Sequence, residues 1–381
     1  GLIDQTERYS LSNVGKAWLP QLSVSGKASY QSDVTKLPFD GDKISSLLPG
    51  FEIPSLSKDQ YQVVAQVDQT IWDGGSARSA RALTRAEATA NREQLESELY
   101  ALNDRVNQLY FGCLLQDELI RQNALLQKEL QVNIERIEAM MENGVANQSD
   151  LESMEVELLN ARQNEIELKA SRTVYRQMLA TFINKPLTDQ VVLKTPESPE
   201  RSLSTQINRP ELRALDAKSE WIETQNKQVT AGLMPRIGAF VQGGYGRPGL
   251  NMLEDSFEPY YVAGVRLSWN LGKLYTLKND RRKIEVSRRQ IDVQRETFLF
   301  NTRLQLLQQN TEIKKMTDLM RADDDIIRLR TSIKQAAEVK LENGVISVTD
   351  LIREINAEDM ARQTAAAHRV QRLMTIYNYM Y

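Results

Sequence analysis

Residues that could carry out chemistry are few and lie far apart in the sequence. His368 is the only histidine and Cys113 the only cysteine, so neither has a partner of its own type for a metal site or a thiol–imidazole pair. No Walker loop and no G-x-S-x-G sequence is present. The chain is therefore predicted to have no catalytic, cofactor or metal site and not to be an enzyme.

The same residues have simpler structural interpretations. His368 lies on a polar helical stretch, which predicts a surface position, whereas Cys113 lies on an apolar heptad row and is predicted in a core. The run Asp323-Asp324-Asp325 could hold a divalent ion, but a solvated helix face is favoured. Gly243-Gly244-Tyr245-Gly246 lies within a strand pattern and indicates close strand packing or curvature.

Composition narrows the class of protein. The 381 residues include 48 Lys and Arg against 51 Asp and Glu, a net charge of −3, and 41% are hydrophobic. This balance argues against a nucleic-acid-binding protein, which usually has a basic excess, and the apolar content predicts a folded chain. No run of 18 apolar residues is present, so no transmembrane helix is predicted.

An internal repeat with an offset of 200 residues divides the chain. Three matched segments define it: Glu142-Asn143-Gly144-Val145 with Glu342-Asn343-Gly344-Val345, Asp150-Leu151 with Asp350-Leu351, and Ala161-Arg162-Gln163 with Ala361-Arg362-Gln363. Solenoid units are much shorter, so this period predicts two duplicated halves, residues 1–209 and 210–381.

Each half contains two segments in which apolar and polar residues alternate. They span about 21–34 and 61–72 in the first half and about 236–246 and 260–271 in the second. A period of two with one apolar face predicts half-buried strands. The stretch from Thr35 to Gln60 is predicted to be a long loop between the first two strands.

Long helices are predicted after each strand pair, at about 76–143 and 149–184, then at about 275–343 and 349–380, with an irregular connector at 185–209. Apolar residues recur every seven positions, which predicts coiled-coil-like packing, and the longest helices would span roughly 100 Å. Gly144 and Gly344 are predicted to end helices, and Ser149 or Asp150 and Thr349 or Asp350 to cap the next ones. The heptad rows in the second half are Leu306, Ile313, Met320 and Ile327, and Leu319, Ile326 and Ile333.

Aromatic residues mark the strand ends, where amphipathic rings favour a membrane–water interface. Two such bands indicate a membrane barrel, although a soluble sheet with core aromatics would also explain them. Four strands cannot close a barrel, so an inserted chain must oligomerise, and three copies would supply twelve strands. The bands comprise Trp18, Trp72 and Trp269 on the helix side and Tyr30, Tyr61, Tyr245, Tyr260 and Tyr261 on the loop side.

The ordered motifs resemble the TolC family of outer-membrane efflux proteins over essentially the whole chain, and the segment from Tyr30 to Val34 is similar to members from Bacteroidetes. The resemblance implies a homotrimer, with a twelve-stranded transmembrane β-barrel and a long α-helical barrel. It also implies the exit duct of a tripartite efflux or type I secretion system in a Gram-negative outer membrane, with a periplasmic adaptor and an RND or ABC inner-membrane pump as partners. The motifs include Trp18-Leu19-Pro20-Gln21-Leu22, Gln69-Thr70-Ile71-Trp72-Asp73-Gly74-Gly75, Arg209-Pro210-Glu211-Leu212 and Gly264-Val265-Arg266-Leu267-Ser268-Trp269.

The resemblance also implies roles for residues near the two turns. A constriction that closes the periplasmic end would be formed by Asp350, Arg353 and Asp150, with Leu341 and Ile346 where better-known members carry polar latch residues. Helix capping is the other expected role of the two aspartates. The first helix is expected to be truncated, because members usually have a full-length helix before the first strand. Adaptor contacts are expected at Asn143, Gly144, Val145, Ser149, Asn343, Gly344, Val345 and Ser347.

Two other functions fit parts of the pattern. A periplasmic adaptor also has a long coiled-coil hairpin, but adaptors carry one hairpin between β domains, whereas this chain has two strand–hairpin units. A soluble coiled-coil scaffold would not need four alternating strands with aromatic ends. The exit duct is therefore the favoured interpretation.

Overall fold

A computed structural model describes residues 1–34, 57–188, 191–197, 207–251 and 254–380. Most of the predicted loop from Thr35 to Gln60 and parts of the predicted connector at 185–209 lie outside these ranges. The described elements, in chain order, are α1 (Leu2–Lys16), β1 (Gln21–Tyr30), β2 (Asp59–Trp72), α2 (Ser76–Glu142), α3 (Gln148–Ile183), α4 (Pro210–Ala231), β3 (Arg236–Arg247), β4 (Glu258–Ser268), α5 (Lys273–Glu342) and α6 (Val348–Met380).

The chain divides into two compact units. Residues 1–95 and 211–295 form the first, and residues 96–210 and 296–381 form the second. The first unit therefore holds all four strands, and the second holds both turns that join long helices. No helix in the described part of the chain is long and apolar enough to cross a membrane.

The four strands of the first unit form one antiparallel sheet in the order β1-β2-β3-β4. Val67 pairs with Leu22 on one side and with Val241 on the other, so apolar residues of neighbouring strands fall on one face. A register shift between Thr70 and Trp72 marks a bulge near the helix-side end of β2. Strand β1 ends at Tyr30 and β4 at Ser268, so both are shorter than the predicted 21–34 and 260–271.

The turn from β2 into α2 depends on Asp73 and the glycines after it. The Asp73 carboxylate accepts hydrogen bonds from the backbone N–H groups of Gly75 and Ala77, at 2.8 and 2.6 Å. Gly74 has a φ of +66°, and an added Cβ would lie 2.7 Å from that of Met234. A side chain at this position would therefore have both a strained backbone and no space.

The second unit is built on a seam of residues spaced alternately three and four apart, as in coiled coils. Around the turns, side chains of α2, α3, α5 and α6 form one apolar core. Ile137, Met154, Leu351 and Ile355 are each no more than 1% exposed within it. Cys113 is fully buried beside Leu109 and Leu179, which confirms its predicted core position, and burial raises the pKa of its thiol.

Candidate functional site

One face of the sheet is apolar and exposed along its whole length. Six of its aliphatic residues are more than half exposed, which is unusual for aliphatic side chains in a row, and Val67 at its centre is 37% exposed. A monomeric soluble protein rarely leaves so large an apolar surface uncovered, so this face requires lipid or another chain against it. The face comprises Leu22, Val24, Val63, Ala65, Val67, Ala239, Val241, Ala263, Val265 and Leu267.

The opposite face is polar. Gln66 donates a hydrogen bond to Asp68 at 2.6 Å, and Arg266 lies 3.8 Å from the same carboxylate and 4.8 Å above the Phe240 ring. Gln242 pairs with Gln66 in the middle of this face. The sheet thus separates an apolar surface from a hydrated one, as the strands of a membrane barrel do.

Aromatic residues lie at both ends of the apolar face. Trp72 pairs with Ile237 at the helix-side end, and Tyr245 pairs with Val63 towards the other end. Tyr245 follows Ile237 by eight positions along β3, which corresponds to about 26 Å at roughly 3.3 Å per residue. On a strand tilted by about 40°, this length corresponds to roughly 20 Å of height, comparable to the apolar band of about 25 Å in an outer-membrane barrel.

The remaining predicted interface aromatics lie in different surroundings. Tyr30 and Tyr261 are 74% and 79% exposed. Tyr61 stacks on Phe257, with ring centroids 6.4 Å apart. The indole N–H of Trp269 donates to the carbonyl of Leu233 at 2.9 Å. Trp18 accepts a hydrogen bond at its own carbonyl from Gln69 at 3.0 Å.

Tyr260 differs from the other predicted interface aromatics, because its side chain lies on the polar face. Its hydroxyl accepts a hydrogen bond from Gln62, and its ring covers Gly244, where a Cβ would overlap with it. Successive strand residues point to opposite faces, so Tyr260 and Tyr261 cannot both meet the same environment. We therefore exclude Tyr260 from the apolar face.

The two helical turns of the second unit have the same backbone geometry. Gly144 and Gly344 have φ values of +72° and +70°. The N–H groups of Val145 and Val345 bond to the carbonyls of Met140 and Lys340, each at 2.9 Å, as in a Schellman motif. Both valines are well exposed, at 58% and 68%. Each turn thus presents an apolar side chain on a rigid backbone.

The residues before each second helix form reciprocal caps. Asn147 accepts from the Asp150 N–H at 3.1 Å while Asp150 accepts from the Asn147 N–H at 3.1 Å. Ser347 and Asp350 repeat this arrangement at 3.2 Å in both directions. The caps are therefore Asn147 and Ser347, two residues before the predicted Ser149 and Thr349, because an N-cap bonds to the third helical N–H.

The two helical turns and the caps that follow them are called the tips below. The other residues predicted at the tips surround these caps. Asn143 and Asn343 each donate to the carbonyl four residues earlier, at 2.7 Å, which closes the helix ends. The Ser149 carbonyl accepts from the Ser153 hydroxyl at 2.7 Å. Leu341 is only 3% exposed within the apolar core, with Ile346 packed against that core. Both apolar residues therefore act in packing at the tip.

The surroundings of Asp350 stabilise its ionised form. Hydrogen bonds from the Ser347 hydroxyl, at 2.8 Å, and from its N–H, with the Arg353 guanidinium nearby, hold the pKa of Asp350 below its ordinary value. Arg353 lies 3.4 Å from Asp350 and 3.3 Å from Glu354. Asp150 has a serine, Ser153, at the equivalent position. The two turns therefore differ in charge although their backbones match.

A buried group of charged residues joins three helices, and the sequence patterns did not reveal it. The Lys334 ammonium in α5 pairs with Glu129 in α2, and it lies 2.9 Å from Glu358 in α6. Burial opposes ionisation of Glu358, but hydrogen bonds from Thr331, Lys334 and Arg362 outweigh it and lower its pKa to about 2. Burial also opposes the charge on Lys334, yet bonds to Glu129 and Glu358 keep its pKa above the ordinary value.

His368 and the acidic run also lie differently from the prediction. His368 Nδ1 is 2.7 Å from the Asp323 carboxylate, and Asp323 is only 6% exposed. Asp324 and Asp325 are exposed, because three consecutive helical residues point in different directions. The predictions of a surface histidine and a fully solvated acidic run are therefore wrong, and this pair is a partly buried interhelical contact.

Potential sites for chemistry are sparse in this arrangement. Among the described residues, no three His, Cys, Asp or Glu side chains are placed to hold a metal ion. The segment from Gly244 to Gly249 has the G-x-G-x-x-G spacing, but it lies at the end of β3 and no helix follows it. A dinucleotide site needs that helix for its phosphates.

Comparison with known proteins is consistent with this geometry. Residues 5–185 match the family model of the outer membrane efflux proteins. No curated protein sequence matches the chain significantly.

Solved structures with the same fold include VceC from Vibrio cholerae, at a TM-score of 0.70 and 11% identity over 100% of this chain and 91% of VceC. The CmeC channel of Campylobacter jejuni matches with a TM-score of 0.67 and 12% identity, over 99% of this chain and 80% of CmeC. The open MtrE channel of Neisseria gonorrhoeae matches with a TM-score of 0.66 and 15% identity, over 99% of this chain and 83% of MtrE. Residues 5–185 of this chain thus match the outer membrane efflux protein family, and the chain shares its fold with these solved structures.

Proposed function

We propose that this chain is one protomer of a homotrimeric exit duct in the outer membrane of a Gram-negative bacterium. The duct passively conducts substrates from a periplasmic pump–adaptor complex to the exterior. The observation that carries the proposal is the two-faced sheet, with exposed aliphatic residues such as Val241 on one side and polar residues such as Gln242 on the other. The apolar face meets lipid and the polar face lines the lumen.

The edges of the sheet support the proposal that several chains assemble. Strands β1 and β4 form its two edges, and their outer N–H and C=O groups have no partner strand among the described residues. Each unpaired group costs several kcal/mol in hydrocarbon, so the sheet is stable in lipid only when its edges are joined. Strands of 10 and 11 residues are long enough to cross the membrane, and three copies give twelve strands.

The helical turns form the periplasmic end of the duct in this proposal. Asp350, its neighbour Arg353 and Asp150 line the constriction, and the exposed Val145 and Val345 with the rigid turns around them contact the adaptor. The apolar turn residues favour this role, since a docking surface needs a preformed backbone and desolvatable side chains. The pump, of RND or ABC type, supplies the substrate.

The two other candidates account for less of the structure. A periplasmic adaptor or a soluble coiled-coil scaffold would use the helical hairpins, but neither explains an apolar sheet face about 26 Å long between aromatic bands. The match to the outer membrane efflux family also favours the duct over both.

A pair of adjacent substitutions on β3 tests the proposal. Val241 lies midway between Ile237 and Tyr245, so Val241→Lys would place a charge near the bilayer midplane at a cost of about 2–4 kcal/mol. We expect this variant to lose its heat-resistant trimer and its outer-membrane location. Gln242→Lys, one residue further on and on the polar face, should retain both. If both variants behave like the unmodified chain, the apolar face does not meet lipid and the proposal fails.

A further inference from the structure

A cavity of about 700 Å³ opens at the helix-side end of the polar face, within the first unit. The ends of β2, β3 and β4 form one side of it, and residues at the ends of α1, α2, α4 and α5 form the others. This volume lies within the range of ordinary small-molecule sites. Ile237 and Ala239, described above on the apolar face, also belong to its lining.

The anionic side chains that line the cavity are already engaged. The Asp73 carboxylate accepts the two backbone N–H groups at the start of α2, at 2.8 and 2.6 Å. The Asp68 carboxylate lies 3.8 Å from the guanidinium of Arg266 and accepts a bond from Gln66 at 2.6 Å. The lining thus includes two carboxylates, against the three cations of Arg236, Arg266 and Lys273.

Two lining cations remain without a carboxylate partner. Arg236 donates to the Ser76 hydroxyl at 3.2 Å, which leaves its charge uncompensated. Within the described residues, no carboxylate pairs with Arg236 or Lys273, and both side chains line the cavity. The cavity therefore carries an excess of positive charge at its wall.

Apolar side chains form part of the rest of the wall, beside the polar side chains of Gln69, Thr70 and Gln228. Trp18 and Phe240 contribute aromatic surface, and Ala77, Ala80 and Ala231 contribute small aliphatic groups. Small side chains leave room for a bulky apolar body, and aromatic rings bind such a body with little loss of conformational entropy. An apolar pocket with a few placed charges is the usual form of a site for an amphipathic ligand.

We propose that this cavity binds amphipathic anions, with the anionic group between Arg236 and Lys273 and a compact apolar body against Trp18 and Phe240. The proposal rests on the proposed function, because the cavity can meet exported molecules only if the polar face lines the lumen. It then acts as a low-affinity binding point where molecules pass from the helical part of the duct to the strands.

Naphthalene-2-sulfonate is a suitable probe, since it combines a rigid apolar body with one permanent negative charge. Isothermal titration calorimetry of the full chain in dodecyl maltoside should detect saturable binding, and uncharged naphthalene-2-methanol should bind at least tenfold more weakly. The variant R236Q/K273Q should weaken sulfonate binding about tenfold, as expected for the loss of two partly exposed ionic contacts. The matched control is Lys27→Gln, which removes a cation from the same face of the sheet outside the cavity.

The outcomes separate this inference from the proposed function. If R236Q/K273Q binds the sulfonate as tightly as the unmodified chain, or if Lys27→Gln weakens binding equally, the cavity is not an anion site. The same follows if the unmodified chain does not bind the sulfonate. Trimer formation and ion conductance in the same preparations remain intact in all of these cases, unless the duct itself is wrong.

Discussion

The ammonium of Lys334 in α5 lies 2.9 Å from a carboxylate oxygen of Glu358 in α6, and both side chains are largely withdrawn from solvent. Glu358 is further held by Arg362 at 2.5 Å and by Thr331 at 2.6 Å, while Glu129 of α2 contacts the same ammonium. Three helices of the tip-bearing unit are thus joined by charges whose separation would leave one of them buried and unpaired.

Lys334→Met tests this contact. Removal of one member of a buried ion pair leaves an uncompensated charge, so we expect the free energy of unfolding to fall by about 3 kcal/mol. Guanidinium unfolding followed by circular dichroism measures the change. Adding Glu358→Gln to Lys334→Met should recover part of the loss, whereas Lys340→Met, on an exposed position of the same helix, should change stability little. An equal loss in the two single variants would show that the pair has no special role.

The raised pKa of Asp359 predicts that this residue lowers the stability of the protein as the pH rises. Burial raises its pKa to about 6 from an ordinary value of 3.8, with the nearby Glu129 and Glu358 carboxylates adding to the shift. The folded chain therefore binds more protons than the unfolded chain between these values, so this residue lowers stability as the pH rises from about 4 to 6. Asp359→Asn should stabilise the protein by about 2–3 kcal/mol at pH 8 and leave it unchanged at pH 3.5.

The pH dependence of stability that Glu358 causes is opposite to that of Asp359, so the two residues can be compared within one protein. Its pKa is lowered to about 2 from 4.5, so the stability it contributes is complete above pH 4.5 and is lost as the pH falls towards 2. Glu358→Gln should therefore be most destabilising near neutral pH. A profile in which both variants show the same pH dependence would contradict these assignments.

Gly344 tests the geometry of the tip. With a φ of +70° and no atom within 4 Å of an added Cβ, Gly344→Ala should cost about 1 kcal/mol through backbone strain alone. Hydrogen exchange of the Val345 N–H should become faster. Gly243→Ala is the matched control, since that site has open space and no positive φ, and it should leave the tip unaffected. A Gly344→Ala tip that exchanges at the original rate would contradict the assigned conformation.

Arg353 tests the proposed constriction. Because it lies 3.4 Å from Asp350, Arg353→Gln should free that carboxylate and increase block of the single-channel current by multivalent cations in planar bilayers. Asp350→Ala should abolish the block. If Asp350→Ala changes neither the conductance nor the cation block, these residues do not line the narrowest part of the duct.

The strands could be predicted well because alternation of apolar and polar residues depends only on neighbours along the chain. The side of the sheet on which each residue lies could be predicted less reliably. Tyr260 and Tyr261 both mark the end of β4, but only the pairing of β4 with β3 and β2 reveals that Tyr260 bonds to Gln62 on the polar side. Aromatic type alone does not distinguish the two environments.

The helical seam illustrates a different difficulty. One row of buried or half-buried residues runs along α5 at spacings of four and three. It consists of Met316, Met320, Asp323, Ile327, Arg330, Lys334, Ala337 and Leu341, so three of its members are charged. One predicted heptad row meets this seam at Met320 and Ile327. The other lies beside it, and its members Ile326 and Ile333 are each 47% exposed. Polar seam residues are recognisable only when their partners on other helices, such as His368 and Glu358, are known.

The mass of the detergent-extracted protein tests the central claim most directly. Native mass spectrometry of the chain purified from membranes should give a particle of three protomers, each of 43.5 kDa, that is released by detergent but not by salt. A full-length chain that is monomeric and soluble in buffer without detergent would contradict the account, because the apolar sheet face could not then be closed into a barrel in lipid.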